Sequence, residues 1–477
     1  MRELSLVMAA LICVSCSAPP SGSDAGATGG GSAGGGGAGG GATGGGGATG
    51  GGGATGGGVA TGGGGALAGG GGATGGGGMV DCGPTSVRCV PSEYATIQAA
   101  SDVTVAGDTV AVFAGTYRGV DISRSGTMSA PITYRAVESN VRITTGSATN
   151  DDGVRLQNVN HIVIDGFVID AMAMAGRCVA ARGATATAPM TGNAVRNVVC
   201  NNAAHEGFYL SQFSNGLVEN NTITGSGRDG TARGHGLYLA NGGSDNTIIR
   251  GNRISGATPS ESNGIHFNGD LSVGGDGLIS GLLVENNVIS GNTQNGLNCD
   301  GVQDSTFRNN VVTGNTRNAM RVYQIDGAAG PANLRIVNNT FTGNAGGWGV
   351  KLTEDSGGHV IFNNVLTGNG AGSLCVANPA FSSNNNALDN LMSRDGEATT
   401  ISLAAWRTQT SQDAMSVETT PLAIFVSTTN FHLSMSSTAR NAGRAMLGAV
   451  NAPSTDVDGA MRPKGSAFDI GAFEFDE

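Results

Sequence analysis

Glu219-Asn-Asn-Thr-Ile, Arg250-Gly-Asn-Arg-Ile, Glu285-Asn-Asn-Val-Ile, Arg308-Asn-Asn-Val-Val, Val337-Asn-Asn-Thr-Phe and Phe362-Asn-Asn-Val-Leu recur along the middle of a 477-residue chain. Aligned with Val195-Arg-Asn-Val-Val, their third residues are Asn197, Asn221, Asn252, Asn287, Asn310, Asn339 and Asn364, at spacings of 24, 31, 35, 23, 29 and 25. A unit this short cannot bury an apolar face alone, so successive units must stack. The flanking residues are β-branched and alternate, as short strands do. Each unit is therefore one turn of a β-helix, with insertions where the spacing lengthens. Asparagines stacked at one corner can hydrogen-bond down the solenoid as a ladder, and all seven are read as structural.

A second strand recurs in each unit: Gly207-Phe-Tyr-Leu, Gly236-Leu-Tyr-Leu, Gly264-Ile-His-Phe, Gly296-Leu-Asn-Cys, Ala319-Met-Arg-Val and Gly349-Val-Lys-Leu. Positions two and four are apolar throughout. On a strand they share one face, here the core, so position three points outward. Stacking predicts an external column of Tyr209, Tyr238, His266, Asn298, Arg321 and Lys351.

Thr96-Ile-Gln-Ala-Ala-Ser reads as a short helix able to cover the open end of a solenoid, which would otherwise expose strand edges and core. Gly107-Asp-Thr-Val through Gly115-Thr-Tyr-Arg, Ser125-Gly-Thr and Pro131-Ile-Thr-Tyr resemble the opening coils of bacterial secreted β-helix proteins. These include pectate-lyase-like and chondroitinase-B/alginate-lyase-like enzymes. Leu403-Ala-Ala-Trp-Arg, Gln412-Asp, Asp456-Val-Asp-Gly and Asp469-Ile-Gly-Ala-Phe-Glu resemble the C-terminal segment of many such proteins. The resemblance spans about residues 90–475 and implies an all-β, right-handed parallel β-helix. It leaves the activity open, because one fold hosts many functions.

The flanks are different. Leu4 to Val14 is an apolar run broken only by Ser5, too short to span a bilayer and suited to an export signal. It ends in Cys13-Val-Ser-Cys16, which resembles a bacterial lipobox with Cys13 where leucine is usual. Cys16 is the expected lipid anchor, with simple signal cleavage as the alternative. Residues 17–79 are nearly all Gly, Ala, Thr and Ser, and cannot bury enough apolar surface to offset backbone ordering. They are expected to form a disordered tether spanning on the order of 40 Å root-mean-square. The expected organisation is a signal over 1–16, a linker over 17–79, a β-helix over 80–380 and a C-terminal end and cap over 381–477. The expected location is exported, at the outer membrane or outside the cell. Contact with membrane is expected only through the lipid.

Of 25 Lys and Arg and 36 Asp and Glu, only Arg2, Glu3 and Asp24 precede Met79, so the body is acidic. That argues against general nucleic-acid binding. Export permits disulfides. Cys82 and Cys89 are the best pair, closing a short loop. Cys178–Cys200 is left open, and Cys299 and Cys375 are expected to be free. No spacing fits a zinc site.

Coils stack about 4.8 Å apart, which makes Arg321 and Lys351 exposed neighbours, an unfavourable pairing of like charges that an anionic ligand would relieve. Asn268, Asp300 and Tyr323 share the face. A uronate polysaccharide is cut by neutralising its carboxylate, removing the C5 proton and assisting the leaving oxygen. Arg321 suits the clamp, Lys351 the base and Tyr323 a proton donor. His266 is an alternative base. The resemblance to chondroitinase-B-like lyases implies a Ca²⁺ held by Asn and acidic side chains, for which Asn268, Asn298 and Asp300 are candidates. Tyr209, Tyr238 and an exposed Trp348 are candidate sugar platforms. The expected function is action on an acidic polysaccharide, by β-elimination or C5 epimerisation, in a monomer. The alternatives are a non-catalytic glycan-binding or adhesion module and a structural surface protein. Gly225-Ser-Gly-Arg-Asp-Gly matches a dinucleotide-binding string, but no helix follows it. Asp456-Val-Asp-Gly reads as a turn.

Overall fold

The computed structural model describes residues 82–230 and 234–476. The expected signal, the Cys16 anchor and all of the tether over 17–79 lie outside them. Among the described residues the strands form three long parallel sheets. The first runs from Val87–Val90 to Phe381–Asn384, the second from Gly115–Arg118 to Val417–Glu418, and the third from Val120–Ile122 to Met392–Ser393. One coil takes a strand from each. Leu283–Glu285 lies in the first sheet, Val288–Ser290 in the second and Leu297–Asp300 in the third. The chain is a right-handed parallel β-helix, as the repeat predicts.

The alternation in sequence becomes a single axial core. In this coil Val284, Ile289, Leu297 and Cys299 point inward with no exposure. Glycine precedes many of the third-sheet strands, and where it does a side chain would be crowded. A Cβ on Gly264 would lie 2.3 Å from the Ile289 methyl, and one on Gly296 would lie 2.1 Å from a Val312 methyl.

The asparagine ladder forms with two corrections. It runs Asn221, Asn252, Asn287, Asn310, Asn339, Asn364 and Asn386, each amide donating to the next side-chain oxygen at 2.9–3.1 Å. Asn386 was not in the sequence alignment. Asn197 is not in the ladder; the register Arg196–Glu219 pairs it with Asn220. It holds the left-handed turn position (φ +55°) and bonds Asp165 instead. Asn is one of the few residues other than Gly that enters this region readily, and that backbone need decides its place. A second ladder joins Asn292, Asn315, Asn344 and Asn369 at the next corner.

Both ends are covered. The helix Ile97–Ser101, capped by the Thr96 hydroxyl, places Ile97 and Ala100 on the first coil's core. At the other end the helix Leu403–Thr410 does the same with Leu403 and Trp406. The chain then folds back, and Ala472 and Phe473 dock on Val311 of the second sheet. Asp456-Val-Asp-Gly is a turn, with Asp456 accepting the Asp458 and Ala460 amides. Disulfides join Cys82 to Cys89 and Cys178 to Cys200. Cys299 and Cys375 are free and buried.

Candidate functional site

The outer face of the third sheet carries the column in the predicted register. Tyr209 lies beside Tyr238, then His266, Asn298, Arg321 and Lys351 in turn. Parallel in-register pairing holds these side chains one coil apart on one surface.

The column is not a row of free groups. Tyr238 stacks on His266 (ring centroids 4.8 Å apart) and meets Tyr209 edge-on at 5.6 Å. Tyr209 also lies against Arg177 and Arg182. The Tyr238 and Tyr209 rings are thus engaged with protein groups as well as lining the surface. Trp348 is not the exposed platform expected. It is 2% exposed, with its indole N–H donating to Glu397 Oε1 at 2.6 Å. Its large ring is buried under the loop that carries Glu397.

Lys351 also differs from expectation. Its Nζ lies 2.5 Å from Glu397 Oε2. Glu397 feels opposing influences. Burial raises its pKa, but the hydrogen bonds from Lys351 and Trp348 outweigh it and hold the carboxylate below its usual range. The like-charge pairing of Arg321 and Lys351 is therefore offset locally, and Lys351 is not an isolated base. No local pattern marked Glu397, which comes from a loop 46 residues away.

Arg321 lies over the Tyr323 ring, its guanidinium carbon 3.9 Å from the centroid. It makes no hydrogen bond or ion pair with other described residues. The Tyr323 hydroxyl accepts from Asn298 Nδ2 at 2.8 Å, and burial, then the Asp300 charge, push its pKa up to about 12. It therefore keeps its proton at neutral pH. Asn298 is itself fixed, its Oδ1 accepting from Asn295.

The histidines form a directional chain. The Asn263 main-chain N–H donates to His235 Nδ1 at 3.0 Å. A neutral His235 must then carry its proton on Nε2, which lies 3.0 Å from His266 Nδ1. His266 thus accepts at Nδ1 and carries its own proton on Nε2. With both rings neutral, His266 is a donor at Nε2 in this arrangement. His235 precedes its strand in sequence and lines the same cleft.

The proposed metal ligands do not come together as a Ca²⁺ site. The Asp300 carboxylate accepts the Ile325, Asp326 and Gly327 main-chain N–H groups and holds that loop. Asn298 Oδ1 is taken. Only Asn268 Oδ1 is without a partner, while its amide donates to the Tyr238 hydroxyl. One free oxygen falls far short of the six to eight that Ca²⁺ takes. Among the described residues no group of three or more His, Cys, Asp or Glu is placed to hold a metal.

His266, Asn298, Arg321 and Tyr323 line a cleft of about 210 Å³. A neighbouring depression of about 320 Å³ continues it past Arg317 and Arg321 to Lys351. The arrangement places Arg321, which has no hydrogen bond or ion pair to other described residues, among several hydrogen-bond donors and the Glu261 carboxylate, with the Lys351–Glu397 pair at one end and the Arg321 charge helping to hold Glu397 down.

A family model described as a right handed beta helix region matches residues 231–390. Similar solved structures include a pectate lyase (17% identity, 79% of this chain and 90% of that chain, TM-score 0.48). An alginate lyase from Paenibacillus sp. shares 21% identity over 57% of this chain and 91% of its own, with TM-score 0.38. The A-module of a mannuronan C-5 epimerase from Azotobacter vinelandii shares 16% over 62% and 89%, with TM-score 0.39. At these identities the likeness concerns the fold alone. No curated protein matches the sequence.

Proposed function

We propose that this right-handed parallel β-helix protein is exported and acts on an acidic, uronate-containing polysaccharide laid across its third sheet. The observation that carries the reading is Arg321, a guanidinium that lines a cleft and makes no hydrogen bond or ion pair with other described residues. Arg presents a planar fork that matches a carboxylate. Neutralising that carboxylate acidifies the C5 proton beside it. The Lys351–Glu397 pair is the proton acceptor, since ammonium and carboxylate together have room for one more proton. Tyr323 and His266 donate to the departing C4 oxygen. If the C4–O bond then breaks, elimination leaves a C4–C5 double bond and the C4 oxygen departs with the donated proton; if that bond holds, return of a proton to C5 from the opposite face gives the epimer. The two disulfides accord with an oxidising compartment.

The test is to incubate the purified protein with a range of uronate polysaccharides. Absorbance from an unsaturated product reports elimination, and NMR of the recovered polymer reports epimerisation. Arg321→Ala is expected to lower kcat/KM by roughly 10²–10³ and raise KM. Lys351→Ala is expected to abolish turnover and leave polymer binding. Retained activity in both variants would place the reaction elsewhere. Binding that depends on Arg321, with no product by either readout, would make the face a glycan-binding module.

A further inference from the structure

The first asparagine of each Asn-Asn pair stands outside its coil in the left-handed conformation. These positions form their own column: Asn220, Gly251, Asn286, Asn309, Asn338, Asn363 and Asn385. In the last four coils the column grips the folded-back C-terminal segment. Asn309 donates to the Thr455 carbonyl at 2.8 Å, Asn338 to Asp469 at 3.0 Å, Asn363 to Arg444 at 2.8 Å and Asn385 to Ala442 at 2.9 Å.

At the preceding three coils the same column borders a groove of about 700 Å³, walled on its far side by Phe431, His432, Asp458 and Phe473, with the Asp458 carboxylate held by His432 Nε2 at 2.8 Å. Arg253 stands in it, exposed, with no ion pair or hydrogen bond to other described residues. Asn286 Oδ1 is buried and accepts nothing.

We infer that this groove, on the second sheet, is a separate binding site for a short acidic oligosaccharide. The inference rests on the reading that the protein handles acidic glycans. Arg253 supplies the carboxylate contact, and the side chains of Asn220 and Asn286 offer donors and acceptors to hydroxyls. The aromatic wall suits the apolar face of a sugar ring. The volume is that of an ordinary small-ligand site. A peptide is less well served. The main chain at Arg253, Val288 and Val311 is already paired in register within the sheet, leaving no edge for strand addition. The ligand must be held by side chains, and the open amides and cation do that for a sugar acid.

The experiment titrates oligogalacturonate and oligoalginate into the Arg321→Ala protein, in which the third-sheet cleft is disabled, by calorimetry and saturation-transfer NMR. Binding is expected to persist in that variant. Adding Arg253→Ala is expected to weaken it by roughly tenfold or more, the loss of a charge-assisted contact. Asn286→Ala should weaken it less. Arg253 is exposed, so circular dichroism should show an unchanged fold. The inference is overturned if Arg321→Ala removes all binding, if Arg253→Ala changes nothing, or if no oligouronate binds. Arg253-dependent binding in a protein without polysaccharide turnover would uphold this site and reject the proposed reaction.

Discussion

Arg321 and Lys351 are register partners on adjacent coils, yet each side chain answers to a different neighbour. Arg321 rests on the Tyr323 ring, while Lys351 bonds Glu397. One cation is left for a ligand and the other is compensated within the protein. This division separates the clamp from the proton-handling pair and suggests how each can be tested alone.

Glu397→Gln removes the charge that faces Lys351 and keeps the volume of the side chain. If the pair accepts the C5 proton, turnover should fall at least tenfold while affinity for the polymer holds or improves, since a negative charge leaves the cleft. Steady-state rates alongside equilibrium binding decide it. Equal losses in both would mean that Glu397 only supports the fold over Trp348.

Asn310→Ala, in mid-ladder, removes an amide that donates to Asn339 and to the Val284 carbonyl and accepts from Asn287. It should cost about 1–3 kcal/mol in denaturant unfolding. Asn197→Gly, outside the ladder and unstrained at φ +55°, should cost clearly less. Equal costs would mean that the ladder is no stronger than an exposed turn.

Arg462 is buried with Glu474 at 2.6 Å and also bonds the Gly471 carbonyl. Arg462→Ala would leave Glu474 and nearby Asp469 and Asp456 uncompensated at the root of the folded-back segment. A loss of about 3–5 kcal/mol is expected. Limited proteolysis should then cut first after residue 440, before the coils open.

Burial pushes the Asp389 carboxyl up to about 6, above the usual carboxylate range near 4. Its folded form therefore binds the proton more tightly than its unfolded form. Stability from this group is present below about pH 4 and is lost as the pH rises towards about 6. The melting temperature of Asp389→Asn, relative to wild type, should rise across that interval. A flat difference would show that Asp389 titrates alike in both states.

The sequence by itself determined the coil, the inward and outward faces and the order of the external column. Those features depend on periodicity, and each repeat states them again: a β-branched pair, an Asn at the corner, a glycine where a methyl lies too close. The sequence slips at two rungs of the ladder, missing Asn386 and including Asn197, where a single Asn had to serve either the ladder or the left-handed turn and only the backbone could choose. Tertiary structure decided what the periodicity does not encode. Glu397 reaches Lys351 and Trp348 from a loop with no repeat, and so buries an expected platform and pairs an expected base. The Asn263 N–H fixes His235 and, through it, the proton on His266. The C-terminal segment stops short of three coils and leaves the second groove open. Such contacts join residues distant in sequence through irregular loops, and their partners emerge only once the chain is folded.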